Sequence, residues 1–367
     1  MARKEAISRF LFDLNFSPPR NYSVGIGAVF TDYATWGKIN QSATVSLEVN
    51  QVCYYLIGVK LQRYKNNPII APTRNWWEIN ATFNAGATIF EGKVILLYRA
   101  IGGDNLSRFG LAVSRDGANF ERFEDPAFEA ELTNQYERLG VEDPRIVKID
   151  DTYYITYTAP SVSEAAAYRT GKFAPSLNHP APWRVRPSLV TTRDFKKFER
   201  EGIILEKDTK NTSLFPEKIN GRFCLLHRIY PQMYIIFSTD LNNWQDEAVL
   251  ISPRNGFWDS ERVGAGAQPI KSEKGWLLFY HGTDGNHIYR LGVLLLDLTD
   301  PTKVLYRSPE PILEPTETYE RVGLTPNVVF TCGAVEKDDQ YFVYYGAADK
   351  VIGLATISKD ELLSNLR

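Results

Sequence analysis

Cysteine and histidine are scarce in this chain, with three and four copies in 367 residues. Cys53, Cys224 and Cys332 are far apart, odd in number and set among apolar residues, so they offer neither a disulfide framework nor metal-ligand spacing. His179, His227, His281 and His287 also lack ligand spacing, which leaves no metal site to expect. No apolar run is long enough to span a bilayer, and Met1–Phe16 lacks the apolar core of a signal peptide. Lysine and arginine are scattered without runs and the net charge is −2, which argues against a nucleic-acid footprint or an electrostatic membrane anchor. There is no Gly-x-Ser-x-Gly elbow, and Gly102-Gly103 lacks the strand-to-helix setting of a phosphate loop. The expectation is a cytoplasmic protein with no membrane or nucleic-acid partner, no metal and no organic cofactor.

What is present is an ordinary globular balance, 44% hydrophobic and 23% charged, with aromatics rich at 13%. Aromatics in such a chain fill a core or serve as platforms for sugar rings. From Leu61 onward one unit recurs: a β-branched or apolar run, a turn, a second strand, then an acidic turn followed by an aromatic. The copies are centred on Val94–Ala100, Tyr153–Ala159, Phe223–Arg228, Trp276–Gly282 and Tyr341–Ala347. Each supplies about four short strands, and copies return roughly every fifty to seventy residues, the size of a propeller blade. A four-stranded blade cannot cover both its faces alone, so blades stack in a ring. The fold expected is all-β, a five-bladed β-propeller over residues 61–367. A β-sandwich is the runner-up, but it leaves the repeat unexplained. Residues 1–60 match no blade and form an N-terminal extension. An oligomerisation arm, a cap and a poorly ordered extension are its three open roles, so homo-oligomerisation is left open.

In a propeller, polar residues at strand ends converge on the axis. Arg99, Asp143, Arg228, His281 and Asp349 stand there, one in each blade, as a small-molecule site in a ring requires. Asp143 lies in Gly140-Val141-Glu142-Asp143-Pro144-Arg145. One reading is a turn, extended before proline, in which Arg145 pairs with Glu142. The other is a rigidly held carboxyl that acts as general acid in glycoside cleavage. Lys210-Asn211, Arg228, Arg262 and His281 are a second set. Singly each is a solvated face or an ion pair; together around one point they form an anion site. A water nucleophile needs no such site, whereas phosphate does. Asn84, Arg99, Arg108 and Asp349 are suited to sugar hydroxyls, with Arg99 and Asp349 alternatively partners of each other.

From about Leu61 to Leu363 the chain resembles glycoside hydrolase family 130, the inverting β-mannoside phosphorylases and related β-mannosidases. The resemblance rests, in order, on Asn67-Pro68-Ile69-Ile70, Phe83-Asn84, Leu97-Tyr98-Arg99-Ala100, Val141–Arg145, Leu214-Phe215-Pro216-Glu217-Lys218, Leu226-His227-Arg228, Val263-Gly264-Ala265-Gly266, Tyr280-His281-Gly282 and Tyr344–Asp349. It implies the five-bladed fold and makes Asp143 the proton donor, acting through a hydroxyl of the bound mannosyl ring. It puts Lys210, Asn211, Arg228, Arg262 and His281 on or beside phosphate-binding positions, and Asn84, Arg99, Arg108 and Asp349 on positions that hold the sugar. The implied activity is that of a glycosyltransferase-type phosphorylase. A β-mannoside (mannobiose, mannooligosaccharide or mannosyl-glucose) is cleaved by inorganic phosphate with inversion, giving α-mannose 1-phosphate. Hydrolytic relatives lose the basic set, which this chain keeps.

Two other readings stay in play. A hydrolase on the same scaffold needs a second carboxylate about 6.5–9.5 Å from the first, for which Glu217, Asp259 and Glu261 are the candidates. A non-catalytic carbohydrate-binding propeller leaves the cationic set without a purpose.

Overall fold

The computed structural model describes residues 58–131, 133–162 and 183–366. The expected N-terminal extension, up to Ile57, lies outside them, as do Cys53 and His179. The chain enters on a two-residue strand, β1 (Gln62–Arg63), and then builds four sheets in sequence order. The first blade is β2 (Ala81–Phe90), β3 (Lys93–Ile101), β4 (Ser107–Ser114) and β5 (Glu121–Arg122). The second is β6 (Glu142–Ile149), β7 (Thr152–Val162), β8 (Trp183–Thr192) and β9 (Glu199–Ile203). The third is β10 (Lys210–Leu214), β11 (Phe223–Ile229), β12 (Gln232–Ser238) and β13 (Trp244–Ile251). In the fourth the inner strand is split into β14 (Arg262–Ala265) and β15 (Ile270–Ser272), both paired with β16 (Gly275–Thr283), followed by β17 (Tyr289–Leu296) and β18 (Val304–Arg307). After a one-turn helix, α1 (Thr318–Arg321), the fifth blade is β19 (Val329–Lys337), β20 (Gln340–Ala347) and β21 (Val351–Ser358), and α2 (Lys359–Asn365) ends the chain.

The expected five blades are present, with two differences in their limits. The sequence repeat starts too late in the first blade, because the first eight residues of inner strand β2 are, apart from Phe83, small or polar and carry no alternating signal. In the third blade the inner strand is β10, which holds Lys210 and Asn211 and precedes the repeat centred on Phe223–Arg228.

The fourth strand of the last blade comes from the start of the propeller. β1 pairs with β21, Gln62 opposite Thr356 and Arg63 opposite Ala355. Arg63 then grips Glu320 with two hydrogen bonds of 2.8 Å. Side chains between blades form five separate apolar cores, one per interface, so the ring is continuous. Tyr98, Leu96 and Ala87 meet Tyr344 and Leu354 across the first and last blades, for example. No helix of the described residues is long and apolar enough to cross a membrane.

A second repeat becomes visible only in three dimensions. The second strand of every blade carries a ring that meets an acidic side chain, itself held by a cation. Tyr98 donates to Glu78 (2.9 Å), which Arg122 also holds. Tyr157 donates to Glu137 (2.6 Å), with Arg200 at 3.5 Å. Tyr280 donates to Asp259 (2.8 Å), held by Arg254 and Arg307. Tyr345 donates to Glu320 (2.8 Å), the partner of Arg63. In the third blade His227 takes the tyrosine's place, with Glu247 at 2.9 Å and Lys207 as the cation. Glu78, Glu137, Asp259 and Glu320 are buried, and a buried carboxylate is tolerable only when paired and hydrogen-bonded, so these four triads tie neighbouring segments to the second strand; Glu247 is exposed on β13.

Burial, reinforced by Lys207 and opposed by Glu247, pushes the His227 imidazole from 6.5 down to about 4. A depressed histidine gives stability that is complete above the unfolded value and lost as pH falls through the folded one. Stability should therefore decline between pH 6.5 and 4, with His227 contributing about 3 kcal/mol of the loss. A His227→Gln variant should show a flatter dependence of Tm on pH in that window; parallel curves for variant and wild type would exclude the histidine as the cause.

Candidate active site

The inner strands converge at one end of the ring, and there each of the first three is interrupted by one extra residue. The register slips between Phe83 and Gly86, between Glu142 and Arg145, and between Lys210 and Ser213. The inserted bulge places Asn84, Asp143 and Asn211 at φ of +47°, +55° and +56°. Only short polar side chains that bond locally enter this region readily, and bulges commonly re-aim side chains beside active sites. The extended geometry expected for Asp143 ahead of Pro144 is thus not observed. Asp143 is part of strand β6, turned out of the ladder toward the axis, with its side chain retaining 9% exposure.

Asp143 Oδ1 accepts from Asn84 Nδ2 at 2.9 Å and from Arg99 Nη1 at 3.3 Å. Gly346, from the fifth blade, makes room for this contact: a Cβ there would lie 2.2 Å from Asn84 Oδ1. Among the described residues no hydrogen bond reaches Asp143 Oδ2. Burial acts to raise this carboxyl, but Arg99, Lys210 and Arg145, with the Asn84 bond, outweigh it and hold it below the ordinary carboxylate range. Glu142 does not pair with Arg145. It accepts from Arg99 Nη2 at 2.6 Å and from Lys210 Nζ at 3.0 Å. Arg145 is instead a crossbar over the channel, donating to the carbonyls of Gly266 (2.6 Å), Ala265 (3.1 Å) and Asp143 (3.1 Å).

Next to this network lies the cationic set. The Arg228 guanidinium has no hydrogen-bond or ion-pair partner among the described residues. Burial, together with Arg262 and Arg145, draws its guanidinium below its ordinary value against the pull of Tyr289 and Asp143. Arg262 lies over the Tyr289 ring at 4.8 Å, and its Nε is buried without a partner. His281 is fully buried against Phe330, with neither ring nitrogen hydrogen-bonded. Burial first, then Arg228, Arg145 and Arg262, drives the His281 imidazole well below its ordinary value. It is therefore a neutral donor and not one of the positive charges. Asn211 Oδ1 is also unpartnered. A Cβ on Gly264 would stand 2.7 Å from His281 Nε2 and 2.9 Å from Asn211 Oδ1, so glycine is what lets these two groups approach. Leaving several buried polar groups and two guanidiniums unpaired costs folding energy, and such groups are where a ligand is expected.

The remaining candidates divide. Asp349, at φ +50°, interacts with Arg99 and Asp143; burial raises its carboxyl despite a hydrogen bond from Thr325. Arg108 stands apart, bound to Asp104 (2.5 Å) and Glu129 (2.6 Å) and lying 4.6 Å from the exposed Trp76 ring. Of the three carboxylates a hydrolase could use, Glu217 pairs with Lys271 beyond the far ends of the inner strands, and Asp259 is consumed by Arg254, Arg307 and Tyr280. Glu261 pairs with His287 at 3.0 Å. Nothing in the linear motif signals that Glu142 meets Arg99 and Lys210 while Arg145 meets the carbonyls of Ala265 and Gly266.

The model of the family described as β-1,4-mannooligosaccharide phosphorylase, glycoside hydrolase family 130, matches residues 59–367. The chain belongs to glycoside hydrolase family 130. It is 44% identical over 312 residues to a 1,2-β-oligomannan phosphorylase of Thermoanaerobacter sp. (strain X514), an alignment covering 83% of this chain and 99% of the relative. A β-1,2-mannobiose phosphorylase of the same strain is 43% identical, with the same coverage of both chains. The structure of the Listeria innocua β-1,2-mannobiose phosphorylase in complex with β-1,2-mannobiose is similar with a TM-score of 0.72 at 32% identity, covering 83% of this chain and 99% of that one. This family-130 chain is a β-mannoside phosphorylase with phosphate as co-substrate.

Proposed function

We propose that the reaction is inverting phosphorolysis of a β-1,2-linked mannobiose or mannooligosaccharide, releasing α-mannose 1-phosphate. The observation that carries this reading is the set of unpartnered donors, Arg228, Arg262 and His281, gathered beside Asp143, while Glu217, Asp259 and Glu261 are each paired elsewhere. The β-1,2 linkage is supported by the relatives of 44% and 43% identity. Arg228 and Arg262 hold the phosphate oxygens, with His281, Asn211 and Lys210 around them, and one phosphate oxygen points at the anomeric carbon. Asn84, Arg99 and Asp349 hold the mannosyl hydroxyls, with Arg108 at the rim. Phosphate forms the new C–O bond as the old one breaks on the opposite face. The leaving oxygen takes a proton from a mannosyl hydroxyl, which is replenished from Asp143.

The neighbouring cations favour the ionised form of Asp143, yet it must carry a proton when the bond breaks. Arrival of phosphate offsets Arg228, Arg262 and Arg145 and raises the proton affinity of the carboxyl. The cytoplasm is the proposed location, since it supplies phosphate and keeps thiols such as Cys224 and Cys332 free. Incubation with β-1,2-mannobiose should yield α-mannose 1-phosphate, seen by phosphorus and proton NMR, only when phosphate is added. Release of mannose at equal rate in phosphate-free buffer would refute this reading.

A further inference from the structure

Two cations flank Asp143, and Glu142 engages both. Its oxygens accept from Arg99 at 2.6 Å and from Lys210 at 3.0 Å, while Asp143 receives from Arg99 only the longer 3.3 Å contact. Glu142 is itself buried, so both interactions occur away from bulk water, where their strength is greatest. The bulge makes this division possible. Glu142 and Asp143 are adjacent, yet one remains in register opposite Thr158 while the other turns out of the ladder. The same register position in the third blade supplies Lys210, opposite Arg228. One carboxylate thus joins the sugar-side arginine to the lysine of the phosphate side.

We propose that Glu142 is a positioning residue that shares out the cations of the pocket, holding Arg99 and Lys210 so that Asp143 stays free to accept and release its proton. The inference rests on the phosphorolysis reading above and adds a residue to it. Without the Glu142 charge, Arg99 and Lys210 would turn their full field, and in part their hydrogen bonds, onto the Asp143 carboxylate, whose proton would then be lost at lower pH. The other charged or titratable groups facing Asp143 are Arg145 on its own strand, Arg228 on β11, Asp349 after β20 and the buried thiol of Cys332 on β19. None of these is hydrogen-bonded to Glu142; Asp349 also feels its charge, and loss of that charge favours ionisation there as it does at Asp143.

The test compares kcat against pH for Glu142→Gln, Lys210→Met and wild type at saturating phosphate and mannobiose. Read as a difference from wild type, the ionisation of phosphate itself cancels. In Glu142→Gln the alkaline limb should move to lower pH by about one unit, with kcat near neutrality falling about tenfold. In Lys210→Met, which removes a cation, the limb should move toward higher pH. Opposite shifts are the signature of charge sharing; a purely structural role would lower activity and Tm together without moving the limb. If Glu142→Gln does not fold, the direction of the Lys210→Met shift decides. Limbs that coincide with wild type, or move the same way in both variants, would overturn the proposal. Such a failure leaves the phosphate requirement of the wild type untouched, so it is distinct from failure of the functional reading.

Discussion

Asp143→Asn should lower kcat by roughly 10²–10⁴, the contribution of a positioned general acid, while leaving the fold in place. Asparagine is the right replacement because position 143 has φ +55°, a conformation that asparagine adopts and that alanine enters only with strain. The amide keeps an oxygen where Oδ1 accepts from Asn84 Nδ2 at 2.9 Å and from Arg99 Nη1 at 3.3 Å, and loses only the charge. Tm should therefore change little and the mannoside should still bind, so the loss is confined to the chemical step. A variant that retains more than about a tenth of wild-type kcat would take the proton-donor role away from Asp143.

The parts of this architecture that could be read from the sequence are those with local signals. The second and third strands of each blade, such as Val94–Ala100 and Trp276–Gly282, carry apolar runs bounded by turns, and these fixed the blade count. The inner strands were hard to see. β2 reads Ala-Thr-Phe-Asn-Ala-Gly-Ala-Thr and β14 reads Arg-Val-Gly-Ala, because close approach to the axis demands small residues in place of an alternating pattern. A Cβ on Gly333 would come 2.3 Å from the Ala87 backbone nitrogen, which shows how tightly neighbouring inner strands pack. Closure of the ring by Gln62–Arg63 was equally silent, since two residues carry no periodicity and their partner strand lies almost 300 positions away.

The candidate residues fared similarly. Arg99, Asp143, Arg228 and His281 were placed at the axis by their positions at strand ends. The bulges that aim Asn84, Asp143 and Asn211 have no sequence signature beyond the residue type itself. The carboxylates of the blade triads, Glu78, Glu137, Glu247, Asp259 and Glu320, come from loops and strands at different offsets, so a search by fixed period passes over them. His227 illustrates the consequence: beside Arg228 it looks like a member of the cationic set, yet its ring serves the third blade's triad with Glu247.

Two arginines should respond to the same substitution in opposite ways, and the contrast separates binding from stability. The Arg228 guanidinium has no partner among the described residues and is crowded by Arg262 and Arg145. Arg228→Met removes a buried charge and its repulsions while keeping apolar bulk, so Tm should hold or rise. Phosphate, however, loses a guanidinium that can donate twice. At 1.5–3 kcal/mol for each hydrogen bond to a charged group, kcat/KM for phosphate should fall about 100-fold or more. Arg63 is the control: it is bound to Glu320 by two 2.8 Å bonds at the clasp between the first and last strands. Arg63→Met strands a fully buried carboxylate at a cost of about 3–5 kcal/mol, which should appear as a lower Tm, with kcat/KM unchanged in the molecules that remain folded. A large drop in Tm for Arg228→Met with phosphate affinity intact would mean that Arg228 holds the ring together and not the anion.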